Sequence, residues 1–213
     1  MVDLRLVNPF SLLVAGSSQT GKSVWVAELL RKSDRLYSRP PGPVVYFYRE
    51  WQELFDGMEG VEFRKGIAKM EDFRLLTGKN ATVVMDDLMH QVGAETAELF
   101  TVGSSRYGVN VIFISQNMFD KNPHFRTISL NCKYICVRKN PRDTSSIQYF
   151  ARQVTPTNTA FLTKVYRDVT RAKPFSYIFF DAAQGTQERL RVRTNVLGEG
   201  GEPMQCFVSD ASV

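Results

Sequence analysis

SLLVAGSSQTGKSVWVAELLRK, residues 11–32, passes from a short apolar run through a glycine-bounded loop into a segment of helical period. Ser11 to Ala15 is apolar and ends at a glycine, while Val26, Leu29 and Leu30 fall on one helical face, so the stretch reads strand, loop, helix. The loop itself, Gly16, Ser17, Ser18, Gln19, Thr20, Gly21, Lys22 and Ser23, fits the spacing G-x-x-x-x-G-K-[ST]. Glycines at its two ends let the backbone curl so that successive N–H groups face a phosphate, and the helix that follows adds the positive end of its dipole. The Lys22 ammonium can then reach β- and γ-phosphates, and the Ser23 hydroxyl can ligate Mg²⁺. The pattern points to ATP and Mg²⁺ as cofactors.

Outward from this unit, strands and helices alternate. SRPPGP, residues 38–43, stops the first helix, and VVYFY at 44–48 reads as a second buried strand. ATVVM at 81–85, VNVIFIS at 109–115 and KYICV at 133–137 read as further strands, with a small hairpin or helix expected across 61–76. Near-continuous Val, Ile and Phe runs mean strands covered on both faces, the signature of a mainly parallel sheet flanked by helices in an α/β fold. Helices are expected over 141–153 and 158–169, then a strand pair near 176–180 and 190–195. The division expected is a single P-loop ATPase domain over 1–196, with its core at about 11–153, and an acidic, mobile tail over 197–213.

The strand at 81–85 runs into Asp86 and Asp87. Two carboxylates directly after a buried strand are what an ATPase needs beside a phosphate loop: Asp86 to hold Mg²⁺, and Asp87 to polarise the attacking water. The strand at 109–115 ends in Ser115, Gln116 and Asn117. At the carboxyl edge of a parallel sheet such side chains point into the ligand crevice, which makes Gln116 a candidate γ-phosphate sensor. Arg106 stands at the other end of that strand, remote from its own nucleotide, so its natural target is a neighbouring subunit's phosphate: an arginine-finger candidate.

The net charge of +5 is unevenly spread. Residues 1–120 carry 13 Lys and Arg against 15 Asp and Glu, residues 121–193 carry 14 against 4, and the last 20 carry none against 3. Such asymmetry points to a polyanionic partner, with Lys121, Arg126, Lys133, Arg138, Lys139 and Arg142 as candidate phosphate contacts to DNA. Cys132, Cys136 and Cys206 are too few for a disulfide framework, and no structural zinc is expected. Cys132 and Cys136 are expected to be buried on one face of a strand. No stretch has the apolar length of a membrane span, and the amino-terminal layout is not that of a cleavable signal, so an intracellular protein is expected.

Taken in order and spacing, GSSQTGKS, VVMDDL and SRYGVNVIFISQN resemble the FtsK/HerA superfamily of hexameric or pentameric DNA pumps. More narrowly, with RTISLNCKYICVRKNPRD at 126–143 and the IQYFARQ that follows, the chain resembles the poxvirus-type genome-packaging ATPases of Polinton-like viruses, adintoviruses and virophages. The resemblance implies an additional-strand, RecA-like P-loop fold, with the Gln116 strand between the phosphate-loop strand and the Asp86 strand. It implies Lys22 and Ser23 as nucleotide and metal contacts, Asp86 as metal-holding acid, Gln116 as sensor and Arg106 as trans finger, with Arg126 and Arg142 as fallbacks. Many members carry Glu where this chain has Asp87, which sets the base one methylene back. The function implied is a homo-oligomeric ring that drives double-stranded DNA into a preformed capsid, acting in the host nucleus or a viral factory and docking on capsid or portal vertex proteins. A small-molecule or nucleotide kinase, or a nucleotide-gated DNA-binding assembly factor with little turnover, would share the phosphate loop.

Overall fold

In the computed structural model, which describes residues 3–140, 143 and 145–209, each apolar run forms a strand with its residues alternating between two faces of one sheet. The strands are β1 (Ser11–Ala15), β2 (Val44–Tyr48), β3 (Val61–Lys65), β4 (Thr82–Asp86), β5 (Asn110–Ser115), β6 (Tyr134–Arg138), β7 (Tyr177–Asp181), β8 (Val192–Thr194) and β9 (Gln205–Phe207). They lie in the order β3-β2-β4-β5-β1-β6-β7-β8-β9. From β3 to β6 every neighbouring pair is parallel, and β7, β8 and β9 add antiparallel pairs at one side. Parallel neighbours need crossovers, and the helices supply them.

The crossovers do not share the two faces equally. Leu13 and Ala15 of β1 face one layer with Phe73, Phe100, Phe125, Phe150 and Leu162, residues drawn from the helices α3 (Met70–Leu75), α6 (Pro123–Asn131), α7 (Ser145–Val154) and α8 (Thr159–Ala172) and from the helical stretch before β5. That stretch runs from α4 (Ala94–Glu98) through a wide π-type turn (Leu99–Gly103) into α5 (Ser104–Tyr107). Leu12 and Val14 face the other layer, where α1 (Lys22–Arg31), the short α2 (Ser33–Leu36) and flanking loops are the cover. Aromatic rings thicken this second layer: Trp25 of α1 meets the Tyr177 ring at 5.3 Å, and Tyr134 stacks on Phe179 at 5.5 Å. Among the described residues no helix is long and apolar enough to cross a membrane.

β5 lies between β1 and β4, the order the resemblance implies. Four local expectations change. The 61–76 stretch is the parallel edge strand β3 followed by α3, because Val61 and Phe63 alternate inward while Glu62 and Arg64 keep the edge charged. The helix expected over 141–153 is seen over Ser145–Val154, with Asp143 outside it and residues 141, 142 and 144 outside the described residues. Cys132 and Cys136 are both buried but on opposite faces, since β6 starts only at Tyr134 and Cys132 caps α6 instead. The tail is not uniformly loose: Gln205–Phe207 pairs with β8 and Phe207 packs on the core, while residues 210–213 lie outside the described residues.

The antiparallel extension is locked by a buried ion pair. Arg193 of β8 bonds Asp181 of β7, with 2% and 5% of the two side chains exposed, and also donates to the carbonyls of Leu190 and Leu4. Removing one partner leaves an uncompensated buried charge, so Asp181→Ala is expected to lower stability by about 3–5 kcal/mol, read as the shift in a urea unfolding transition.

Candidate functional site

Because β1, β4, β5 and β6 run in the same direction, the residues at their carboxyl ends meet along one edge. β1 delivers the loop 16–23 there. Gly21 closes it in the left-handed region, φ 74°, and no side chain caps α1, so the first-turn N–H groups stay open toward the loop. The Lys22 ammonium donates to the Ser17 carbonyl at 2.9 Å, folding the side chain over the loop. Burial pulls its pKa down, opposed by the charges of Asp86 and Asp87, and the Arg138 guanidinium pulls it down further. Gly16 serves a different need: a Cβ there would come within 2.8 Å of the Arg138 Cβ and 3.1 Å of the Thr20 hydroxyl.

β4 brings Asp86 to the same place. Its Oδ2 accepts from the Ser23 hydroxyl at 2.8 Å, from the Tyr46 hydroxyl at 2.8 Å and from the Gln52 amide at 3.4 Å. Burial raises the Asp86 pKa, the Ser23 and Tyr46 hydrogen bonds pull it back, and the adjacent Asp87 raises it again. A hydroxyl and a buried carboxylate oxygen in contact form the kind of hard-oxygen pair that suits Mg²⁺. The metal-binding assignment of Ser23 and Asp86 therefore fits the geometry.

Asp87 leaves the strand with φ 55°, a left-handed backbone that turns its carboxylate away from Asp86 and toward β5. There Gln116 donates to its Oδ1 at 2.9 Å, and Arg49, just past β2, stands 3.9 Å from its Oδ2. The sequence singled out Gln116 as a sensor; the structure joins it directly to the candidate base. Arg106 sits exposed on α5 at the opposite, amino edge, separated from this cluster by the six residues of β5, roughly 20 Å of strand.

The basic residues read as DNA contacts do not form one surface. Lys121, Arg126 and Lys139 are exposed, and Arg142 lies outside the described residues. Lys133 is half-buried at the amino edge, its ammonium donating to the Pro9 carbonyl at 2.6 Å. Arg138 is 3% exposed: its guanidinium lies 5.5 Å over the Tyr177 ring and donates to the Phe175 carbonyl, and its Nε and Nη1 have no hydrogen-bond partner among the described residues. Parallel pairing of β6 with β1 explains the burial, since Val137 pairs with Ala15 and Arg138 thereby comes level with Gly16. Arg138 is thus buried against the loop at Gly16 and is not part of an exposed basic face.

Reading the sequence alone missed Tyr46, Arg49, Gln52 and Phe175. Tyr46 and Gln52 approach Asp86 only because β2 pairs with β4, a neighbour relation no local pattern encodes. Arg138 did carry a usable signal, the same one that marked Gln116: a polar residue at the carboxyl end of a buried strand. A cleft of about 1260 Å³ opens beside α1, walled by Trp25, Arg138, Phe175, Tyr177 and Asn195 and touching the loop 16–23 at Gly21.

No protein-family model and no curated protein matches the sequence. Solved structures do match it. The genome-packaging NTPase B204 of Sulfolobus turreted icosahedral virus 2, in complex with ATP-gammaS, aligns with a TM-score of 0.54 at 11% identity, over 84% of this chain and 95% of that one. The DNA-packaging ATPase B204 of Sulfolobus turreted icosahedral virus aligns with a TM-score of 0.56 at 8% identity, over 94% and 98%. The cytoplasmic domain of the type VII secretion ATPase EccC of Thermomonospora curvata aligns with a TM-score of 0.52 at 15% identity, over 86% of this chain and 27% of that one. The chain shares the P-loop ATPase fold of these proteins.

Because the Arg138 stem fills the space beside Gly16, Gly16→Ala must push the loop off β6. The expected outcome is a loss of about 1–3 kcal/mol of stability, with nucleotide affinity reduced at least tenfold, measured by thermal unfolding and titration calorimetry.

Proposed function

We propose that this chain is an ATP-hydrolysing motor that moves double-stranded DNA into a preformed capsid as a ring of identical subunits. The observation that carries the reading is the junction of Asp87 with Gln116 at 2.9 Å, beside a phosphate loop whose Ser23 meets Asp86 at 2.8 Å. The shared fold with viral packaging NTPases supports the choice of cargo. In the reaction Asp87 takes a proton from the attacking water as its oxygen forms the new bond to the γ-phosphorus, and the bond to the β–γ bridging oxygen breaks in line to leave ADP. Lys22 neutralises charge on the β- and γ-phosphates. When bound, Mg²⁺ supplies further neutralisation there, and Ser23 and Asp86 are the residues that would hold it. Gln116 holds Asp87 in position and exchanges that hydrogen bond for one to the γ-phosphate or the water, so the strand tip responds to the nucleotide state.

Arg106 completes the site across a subunit boundary. An arginine on the amino edge of β5 is too far from its own loop to touch the γ-phosphate, but a neighbour packed against that edge would bring its nucleotide within reach. Lys121, Arg126 and Lys139, exposed and basic, are the DNA phosphate contacts of this reading, which position the duplex without reading its sequence. Its setting is the host nucleus or viral factory, with docking at a capsid or portal vertex.

Lys22→Ala is expected to abolish tight ATP binding, whereas Asp87→Asn keeps binding and stops turnover; both are read by titration and by phosphate release with and without long duplex DNA. DNA-stimulated release supports the motor. Release that depends on a small acceptor, or stays flat with DNA, overturns it in favour of a kinase or a scaffold.

Arg106→Ala should bind ATP normally and fail to hydrolyse it, because a finger contributes about 10³–10⁵ in rate. Mixed with Lys22→Ala, it should regain partial activity, since some interfaces then pair an intact loop with an intact finger. Co-assembled mixtures that stay inactive would exclude Arg106 as the finger.

A further inference from the structure

The phosphate end of the site is built of Lys22, Ser23, Asp86, Asp87 and Gln116, and none of these walls the large cleft that meets the loop at Gly21. A triphosphate laid along the loop with its γ-phosphate toward Asp87 must direct its nucleoside the other way, toward Gly21 and Arg138. On that side stands Phe175, in the turn between α8 and β7, with 64% of its surface exposed. Its backbone is left-handed at φ 61°, which a bulky residue without a glycine's freedom adopts only when its surroundings impose it.

Those surroundings are identifiable. The Phe175 ring lies 3.6 Å from where a Cβ on Gly21 would be, so it abuts the start of α1. The Arg138 guanidinium, buried and 3.7 Å from the same point, donates to the Phe175 carbonyl and lies over Tyr177. Another part of the cleft wall is equally built: the Asn195 side-chain amide donates to the carbonyls of Glu199, Glu202 and Pro203, pinning the turn that follows β8. A large ring face thus stands in water, on a strained backbone braced by a buried cation, beside the last turn of the phosphate loop.

We propose that Phe175 is the platform on which the base of the bound nucleoside triphosphate stacks, and that Arg138 is the positioning residue that holds it there. This rests on the reading of residues 16–23 as a phosphate loop. Every base has a π-face, so the platform raises affinity for nucleotides over bare triphosphate with little choice among bases, and the larger purines gain most. The buried guanidinium also places positive charge behind the loop, where the Glu199 carboxylate of the same cleft feels it and an arriving triphosphate would add further negative charge.

The test compares ATP with inorganic tripolyphosphate by titration calorimetry on the full chain and its Phe175→Ala and Phe175→Trp variants, each checked for an unchanged melting curve. Phe175→Ala is expected to bind ATP about tenfold more weakly and tripolyphosphate as wild type does. Phe175→Trp is expected to restore ATP affinity, with an emission quenched by ATP and not by tripolyphosphate, beyond any change shown by wild type through Trp25 and Trp51. The proposal is overturned if Phe175→Ala binds ATP like wild type, if it weakens both ligands equally, or if the new tryptophan is indifferent to ATP. If instead wild type binds neither ligand, or Lys22→Ala binds both as wild type does, the phosphate-loop reading falls first and the platform with it.

Discussion

The alignment of β1 between β5 and β6, all three parallel, is the constraint on which the site depends. Ala15 pairs with Ser115 on one side and Val137 on the other, so the phosphate loop, the Gln116 tip and Arg138 emerge side by side at one edge. The next strand out, β4, pairs Asp86 with Ile114 and brings the two carboxylates to the same edge. A shift of two residues in the β1–β5 or β5–β4 register would keep every side chain on its face of the sheet and still separate Ser23 from Asp86 by a strand pleat, roughly 6–7 Å. Pairing registers, more than any single contact, therefore place the groups of the candidate site.

Those registers also give the site a direction. On one side of β1 lie Asp86 and Asp87, held by Ser23, Tyr46 and Gln116; on the other lies Arg138, buried and facing Tyr177 and Phe175. The acidic side suits a metal and a proton acceptor, and the cationic side suits the inner end of an anion. Burial makes both sides sensitive to their neighbours: Asp86 is pushed toward its neutral form and Lys22 toward losing its proton, each balanced by charges across the loop.

What could be read from the amino acids was whatever a local pattern encodes. The apolar runs located β1, β2, β4, β5 and β6 to within a residue or so at each end, because strands covered on both faces have to be apolar throughout. The loop 16–23 was legible as a loop because glycines bound it between an apolar strand and an amphipathic helix. β3 was obscured by the charges that protect a sheet edge, and β9 by its shortness among glycines and a proline. Cys132 and Cys136 went to opposite faces because a helix end intervenes where a continuous strand was assumed. Tyr46, Gln52 and Phe175 were invisible for a deeper reason: each acquires its role from a residue at least 34 positions away. Arg138 was misassigned to a surface because a cluster of charge along the chain looks the same whether its members end up outside or beneath a neighbouring loop.

The central strand has one more consequence, which concerns time. β1 is made well before its partners, since β5, beginning at Asn110, and β6, ending at Arg138, are about a hundred residues or more further along the chain. Closing so long a loop costs entropy before any pairing repays it, so β1 has to wait, apolar on both sides, until its neighbours have been synthesised. A chain emerging from the ribosome cannot order the loop 16–23 until residue 138 is out. A ligand that needs the ordered loop can bind only when the middle of the sheet has closed, and it would act as a late clamp, stabilising a completed domain over its incomplete precursors.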